Sequence, residues 1–85
     1  MKHSLFDLTV SSPEKQLFSG KVESLAAKAV DGEIGIFANH APLISILRDG
    51  PLKIQPANKP AVNIPILGGV MHVEKNTAEV YVSLS

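Results

Sequence analysis

His3, His40 and His72, with the carboxylates of Glu33 and Glu74, are the residues of this 85-residue chain best suited to chemistry. His40, His72 and Glu33 together would describe a small metal-dependent β-fold enzyme. Zinc sites in small proteins, however, place ligands in close pairs, such as two histidines three or four residues apart. Here more than thirty residues separate each histidine from the next, and surface or half-buried imidazoles are the simpler reading. Serine, histidine and aspartate are all present, but no serine sits in a Gly-x-Ser-x-Gly elbow. Gly68-Gly69 would cradle phosphate only ahead of a helix N-terminus. Val70-Met71-His72-Val73 reads instead as strand, so the glycines mark a bulge or a close backbone approach. Without cysteine there is neither a disulfide framework nor a thiolate metal site. The residues therefore predict no catalytic group, bound metal or cofactor, and a function lying in protein contacts.

Composition narrows the partners. Eight Lys+Arg balance eight Asp+Glu, scattered along the chain, which leaves no electrostatic footprint for nucleic acid or an anionic membrane. Arg48 is the lone arginine, so bidentate phosphate recognition is poorly supplied. The four aromatic residues are too few for a carbohydrate-stacking module. A hydrophobic fraction of 45% argues for a folded domain. The length suits one thin-cored domain over residues 1–85. The N-terminal residues carry charge too early for a signal-peptide core, and no run approaches the ~18 apolar residues of a membrane helix. The expectation is a cytoplasmic chain that meets a membrane only through another protein.

The elements that would position these residues are strands. Phe6, Leu8 and Val10 alternate with polar neighbours, as do Val62, Ile64 and Ile66, and Val80, Val82 and Leu84; Leu52-Lys53-Ile54 and Ile34-Gly35-Ile36 are shorter versions. Turn signals separate them at Ser19-Gly20, Asp31-Gly32, Asp49-Gly50-Pro51, Asn58-Lys59-Pro60 and Lys75-Asn76-Thr77. Many short strands at such spacing predict an all-β fold, a small antiparallel β-sandwich of two packed sheets. Val22, Leu25, Ala26 and Ala29 fit helical spacing instead. Their short span and strand-like neighbours favour a strand. Pro65 points to an edge position or an interruption of pairing.

One segment is denser than the rest. From Asp31 to Leu43 the chain packs two glycines, two acids, a histidine and a proline among four large apolar residues. Ile34 and Ile36 can bury on one strand face, which leaves Phe37, Pro42 and Leu43 beside Glu33, Asn39 and His40. Apolar groups rimmed by polar ones on a loop suit a protein-binding patch; they equally suit a plug at the end of a thin sandwich.

At this point the sequence resembles a known family. Asp31-Gly32-Glu33-Ile34-Gly35-Ile36 followed by His40-Ala41-Pro42-Leu43 looks like the signature of the epsilon subunit of F-type ATP synthase. Ser12-Pro13-Glu14 and Leu17-Phe18-Ser19-Gly20-Lys21-Val22-Glu23 continue the likeness upstream. Gly50-Pro51-Leu52-Lys53-Ile54 and Gly68-Gly69-Val70-Met71-His72-Val73 continue it downstream. The resemblance implies the family's N-terminal β-sandwich, a non-catalytic rotor element of the central stalk that binds the gamma subunit and stands on the c-ring. Through gamma it would couple ion-driven rotation to the alpha and beta subunits. The implied place is the cytoplasmic face of the inner membrane, peripheral through the complex and without direct membrane insertion.

Carried over by position, Asp31, Gly32 and Glu33 match the loop facing the c-ring. Ser12 and His40 match gamma-facing positions, with Ala41, Pro42 and Leu43 alongside. Ala38-Asn39 stands where the family commonly has Pro-Gly, although Asn tolerates positive φ. The stretch from Pro56 to Pro65 is only weakly family-like. The sequence stops at Ser85, where many family members continue into a C-terminal helical hairpin. If Ser85 is the natural end, the expectation is a short form, without the ATP binding and restraint of hydrolysis that the hairpin supplies in some bacteria.

Overall fold

The computed structural model describes residues 4–84. They form eight strands: β1 (Phe6–Ser11), β2 (Gln16–Ala29), β3 (Gly32–Phe37), β4 (Leu43–Leu47), β5 (Gly50–Pro56), β6 (Val62–Ile66), β7 (Gly68–Glu74) and β8 (Thr77–Ser83). Hydrogen bonding runs in the order β1-β8-β7-β4-β2-β5-β6, with β3 on β2 and a further pairing of β1 with β2. The strands fold into two layers because the 14-residue β2 belongs to both. Its first half pairs with β1, from Gln16 to Val22. Its second half pairs with β3 and β5.

The crossing point is a bulge. Val22 lies opposite Pro56 and Ser24 opposite Gln55, which leaves Glu23 as the extra residue. An inserted residue reverses the strand's alternation, so Val22 is buried before it and Leu25, Ala27 and Ala29 after it. That phase change creates the helix-like spacing in the sequence. The predicted strand is correct, and Lys28 is exposed as an outward residue of the second half. Ser19-Gly20 is not a turn. Both residues lie inside β2, with Gly20 opposite Leu8, and the Phe18 ring lies over the space a Gly20 β-carbon would occupy, 3.8 Å away.

The sheet is mixed, a refinement of the antiparallel expectation, because β1 and β8 run parallel from Asp7–Thr77 to Ser11–Tyr81. Loop length constrains only strands adjacent in sequence. These are the first and last, so no local crossover is needed.

The core is built from the alternating residues. Phe6, Leu8 and Val10 meet Val80 and Val82, Met71 and Val73, Leu25, Ile36, Leu52 and Ile54, all at most 3% exposed. Gly69 makes the close approach expected of the Gly-Gly pair: a β-carbon there would lie 2.3 Å from the Tyr81 carbonyl oxygen. β6 is an edge strand, the setting that accommodates Pro65.

Candidate protein interface

The segment 31–43 contains two turns at opposite ends of β3. At one end the two-residue turn Val30-Asp31 joins β2 to β3, with Ala29 opposite Gly32 and Lys28 opposite Glu33. Gly32 has φ 132°, a conformation a side chain would oppose. Asp31, Gly32 and Glu33 are all exposed. Their carboxylates make no ion pair among the described residues, so the turn projects bare negative charge.

The other end is tied down. Asn39 has φ 63°, the left-handed conformation that the Ala38-Asn39 substitution put in question, and asparagine supplies it. Its backbone N–H donates to Asn76 Oδ1 at 2.7 Å. Asn76 Nδ2 donates to the Leu5 carbonyl at 2.9 Å, and the Asn76 carbonyl accepts from Asp7 N–H at 3.2 Å. Asn76 itself sits with Lys75 in a two-residue hairpin turn whose φ values, 59° and 51°, are both positive. One side chain thus joins the start of β1, the β7–β8 turn and the approach to His40. The next residues are more open. Ala41 and Pro42 are exposed, Leu43 packs partly on the core, and His40 is half-buried. His40 Nδ1 donates to the Ala41 carbonyl at 2.7 Å; because a carbonyl only accepts, this leaves Nε2 as the acceptor of the neutral ring.

Ser12 lies elsewhere on the same layer. Its hydroxyl accepts from Lys15 N–H at 3.3 Å, closing the β1–β2 turn. On the sheet, Ser11 is in line with Tyr81, Val70 and Ile46, whereas Leu43 is in line with Val73, Ala78 and Leu8. Ser12 and His40 therefore flank opposite ends of one sheet face. Between them runs a stripe that sequence reasoning missed: Ile44, Ile46, Val70 and Tyr81 are 42% to 72% exposed. Val70 is the cross-strand partner of both Ile46 and Tyr81. Val30 extends the stripe toward the Asp31 turn, through the bond from its N–H to the Ile46 carbonyl at 3.0 Å. A periodicity argument assigns the apolar member of an alternating pair to the interior. β4 is apolar at nearly every position, and this was the available signal that apolar side chains stand on both of its faces.

The metal constellation is not assembled. Glu33 stands beside the Asp31 turn, roughly 20 Å of extended chain from the His40 turn. His72 lies mid-face beside Ile44 and Glu79. Its ring nitrogens are 3.3 Å from Glu74 and 3.8 Å from Glu79, in a solvent-facing cluster. No group of three potential ligands converges among the described residues. His3 lies outside the described residues.

The fold and these residues describe a two-layer β domain with a contiguous exposed apolar stripe framed by two turns, the surface of an interaction domain more than of an enclosed catalytic pocket. The chain belongs to the family described as "ATP synthase, Delta/Epsilon chain, beta-sandwich domain", whose pattern matches residues 5–83. It is 40% identical over 74 residues to the ATP synthase epsilon chain of Leptospira borgpetersenii serovar Hardjo-bovis, covering 87% of this chain and 58% of that one. It is 36% identical over 80 residues to the epsilon chain of Syntrophomonas wolfei, covering 94% and 58%. The chain thus spans little more than half the length of these relatives. Its fold matches a chain in the central stalk/c-ring structure of the Tetrahymena thermophila mitochondrial ATP synthase, with a TM-score of 0.78, 24% identity, and coverage of 98% of this chain and 66% of that one. It also matches a chain of the Euglena gracilis mitochondrial ATP synthase, with a TM-score of 0.85, 20% identity, and coverage of 96% and 53%.

Proposed function

We propose that this chain is a non-catalytic rotor element of an F-type ATP synthase, joining the gamma subunit to the c-ring so that ion-driven rotation reaches the catalytic alpha and beta subunits. It would sit peripherally at the membrane, held there by the complex; among the described residues no helix is long and apolar enough to cross a membrane.

The observation that carries this reading is the exposed stripe of Ile44, Ile46, Val70 and Tyr81 between Ser12 and His40. Contiguous apolar surface on a small domain marks a contact site, and these side chains offer gamma a surface that water serves poorly. Ser12 and His40-Ala41-Pro42-Leu43 supply its rims. Interface energy concentrates in such apolar centres while polar rims exclude water. The Asp31-Gly32-Glu33 turn plays the other part: a projecting pair of carboxylates can meet basic loops of the c-ring, setting register more than affinity.

The test pairs binding with crosslinking. The chain should co-purify with its gamma subunit. In the assembled enzyme, Glu33→Cys should crosslink to the c-ring and His40→Cys to gamma. A chain that neither binds gamma nor joins a membrane-bound ATPase ends this reading.

A further inference from the structure

β1 and β3 hydrogen-bond to the same edge of β2, β5 occupying the other: Val22 pairs with Phe6 and Ser24 with Phe37. The bulge residue Glu23 falls between the two pairings, where the start of β1 and the end of β3 part. A hollow of about 360 Å³ opens there, lined by Ser4, Glu23, Ser24, Phe37 and Ala38. Its chemistry is one-sided. Phe37 is 64% exposed, an aromatic face left to solvent at the end of a strand. Glu23 has no ion-pair partner among the described residues, and Lys21, the nearest lysine along β2, is engaged by Asp7 at 3.0 Å. The serine hydroxyls add hydrogen-bond acceptors, and among the described residues no cationic side chain lines the hollow.

A carboxylate beside an aromatic face favours a cation, since the ring's negative face and the carboxylate act in the same sense. Guanidinium fits better than ammonium: it is planar, stacks on a ring while its edge bonds a carboxylate, and sheds water more readily. Phe37 and Ala38 lead directly into Asn39 and His40, so the hollow adjoins the rim assigned above to gamma. We propose that the Glu23–Phe37 notch receives an arginine side chain of the gamma subunit, an anchor separate from the apolar stripe. This rests on the gamma reading of the preceding subsection.

The bulge gives the arrangement its reason. Without the extra residue, position 23 would alternate with Val22 in a continuous ladder. The insertion places a carboxylate at the gap between two strands, one of the uses to which bulges are put.

The test measures affinity of the full chain for its purified gamma subunit by calorimetry at low and high salt, with circular dichroism confirming that each variant folds. Phe37→Ala should weaken binding by about fivefold to thirtyfold, the upper part of the cation–π range, and Glu23→Gln by about tenfold or more through loss of a charge-assisted hydrogen bond. Phe37→Leu, which keeps apolar area without a π face, should be nearly as weak as Phe37→Ala. The double variant should lose less than the product of the two single losses, and Glu23→Gln should flatten the salt dependence. If the parent binds gamma while both single variants stay within about twofold of it, or Phe37→Leu restores full affinity, the notch proposal is wrong and the rotor reading stands. If the parent does not bind gamma at all, both fall.

Discussion

The turns at the two ends of β3 solve opposite problems. Val30-Asp31 needs only its hairpin and one glycine, and it presents charge on a projecting tip whose side chains touch little. Asn39 is held in a left-handed conformation by a side chain 37 residues further along the chain, and the path through His40, Ala41 and Pro42 is fixed in direction before β4 begins. A contact that works through charge tolerates a loosely held carrier, because Coulomb attraction falls off gradually with distance. A contact that works through packed apolar groups does not, because dispersion and water exclusion are lost with an ångström of misplacement. On the proposed function, the end of β3 that leads into the apolar stripe is therefore the one that must be rigid.

The sharpest way to break this contrast is at Asn76. Asn76→Ala removes the bonds to Asn39 N–H and the Leu5 carbonyl and forces alanine to φ 59°. Losing two hydrogen bonds, one exposed and one part-buried, and adding strain should cost about 2–4 kcal/mol in denaturant unfolding. Asn76→Gly relieves the strain and should recover about 1 kcal/mol of that. If both variants unfold with the parent, the His40 turn is not held from Asn76.

Next in size is the stripe. Ile46→Lys puts an ammonium at the centre of the exposed face, where it remains solvated in the free chain. Stability should therefore change little, while gamma binding should fall at least about tenfold if the face is the centre of the interface. Equal affinity in parent and variant would move the contact away from β4 and β7.

How legible these features were depends on their range. The strands of the core follow from alternation at Phe6, Leu8 and Val10 or at Val80 and Val82, which is local information. Lys75-Asn76 announced its turn by residue type alone. The bulge at Glu23 stayed hidden because its only sequence trace is a reversal of phase, which mimics a helix. Gly20 misled in the opposite way: glycine marks a turn, yet here it lies inside a strand opposite Leu8, with the Phe18 ring at ordinary contact distance from where its β-carbon would be. The parallel β1–β8 pair and the bond from Asn39 to Asn76 are contacts between distant parts of the chain, and no window along the sequence contains both partners. The stripe escaped for another reason. Ile44 and Ile46 share one side of β4, Leu43 and Leu47 the other, and periodicity cannot say which apolar side faces a core and which a partner.

The residue where the two turns can be compared most directly is Asn39. Asn39→Gly keeps the left-handed conformation and the N–H that Asn76 accepts, so the fold should unfold within about 1 kcal/mol of the parent. Asn39→Ala retains the bond but opposes the conformation and should cost about 1 kcal/mol. The smallest effect belongs to the other turn. Glu33→Gln removes a charge that no neighbour among the described residues pairs with, and the thermal midpoint should move by less than about 3 °C. What it should change is assembly with the c-ring, and that change should shrink as added salt screens the exposed charge. A large loss of stability from Glu33→Gln would mean that the tip is structural after all. The contrast would then reverse, with charge holding the fold at one end of β3 and geometry alone at the other.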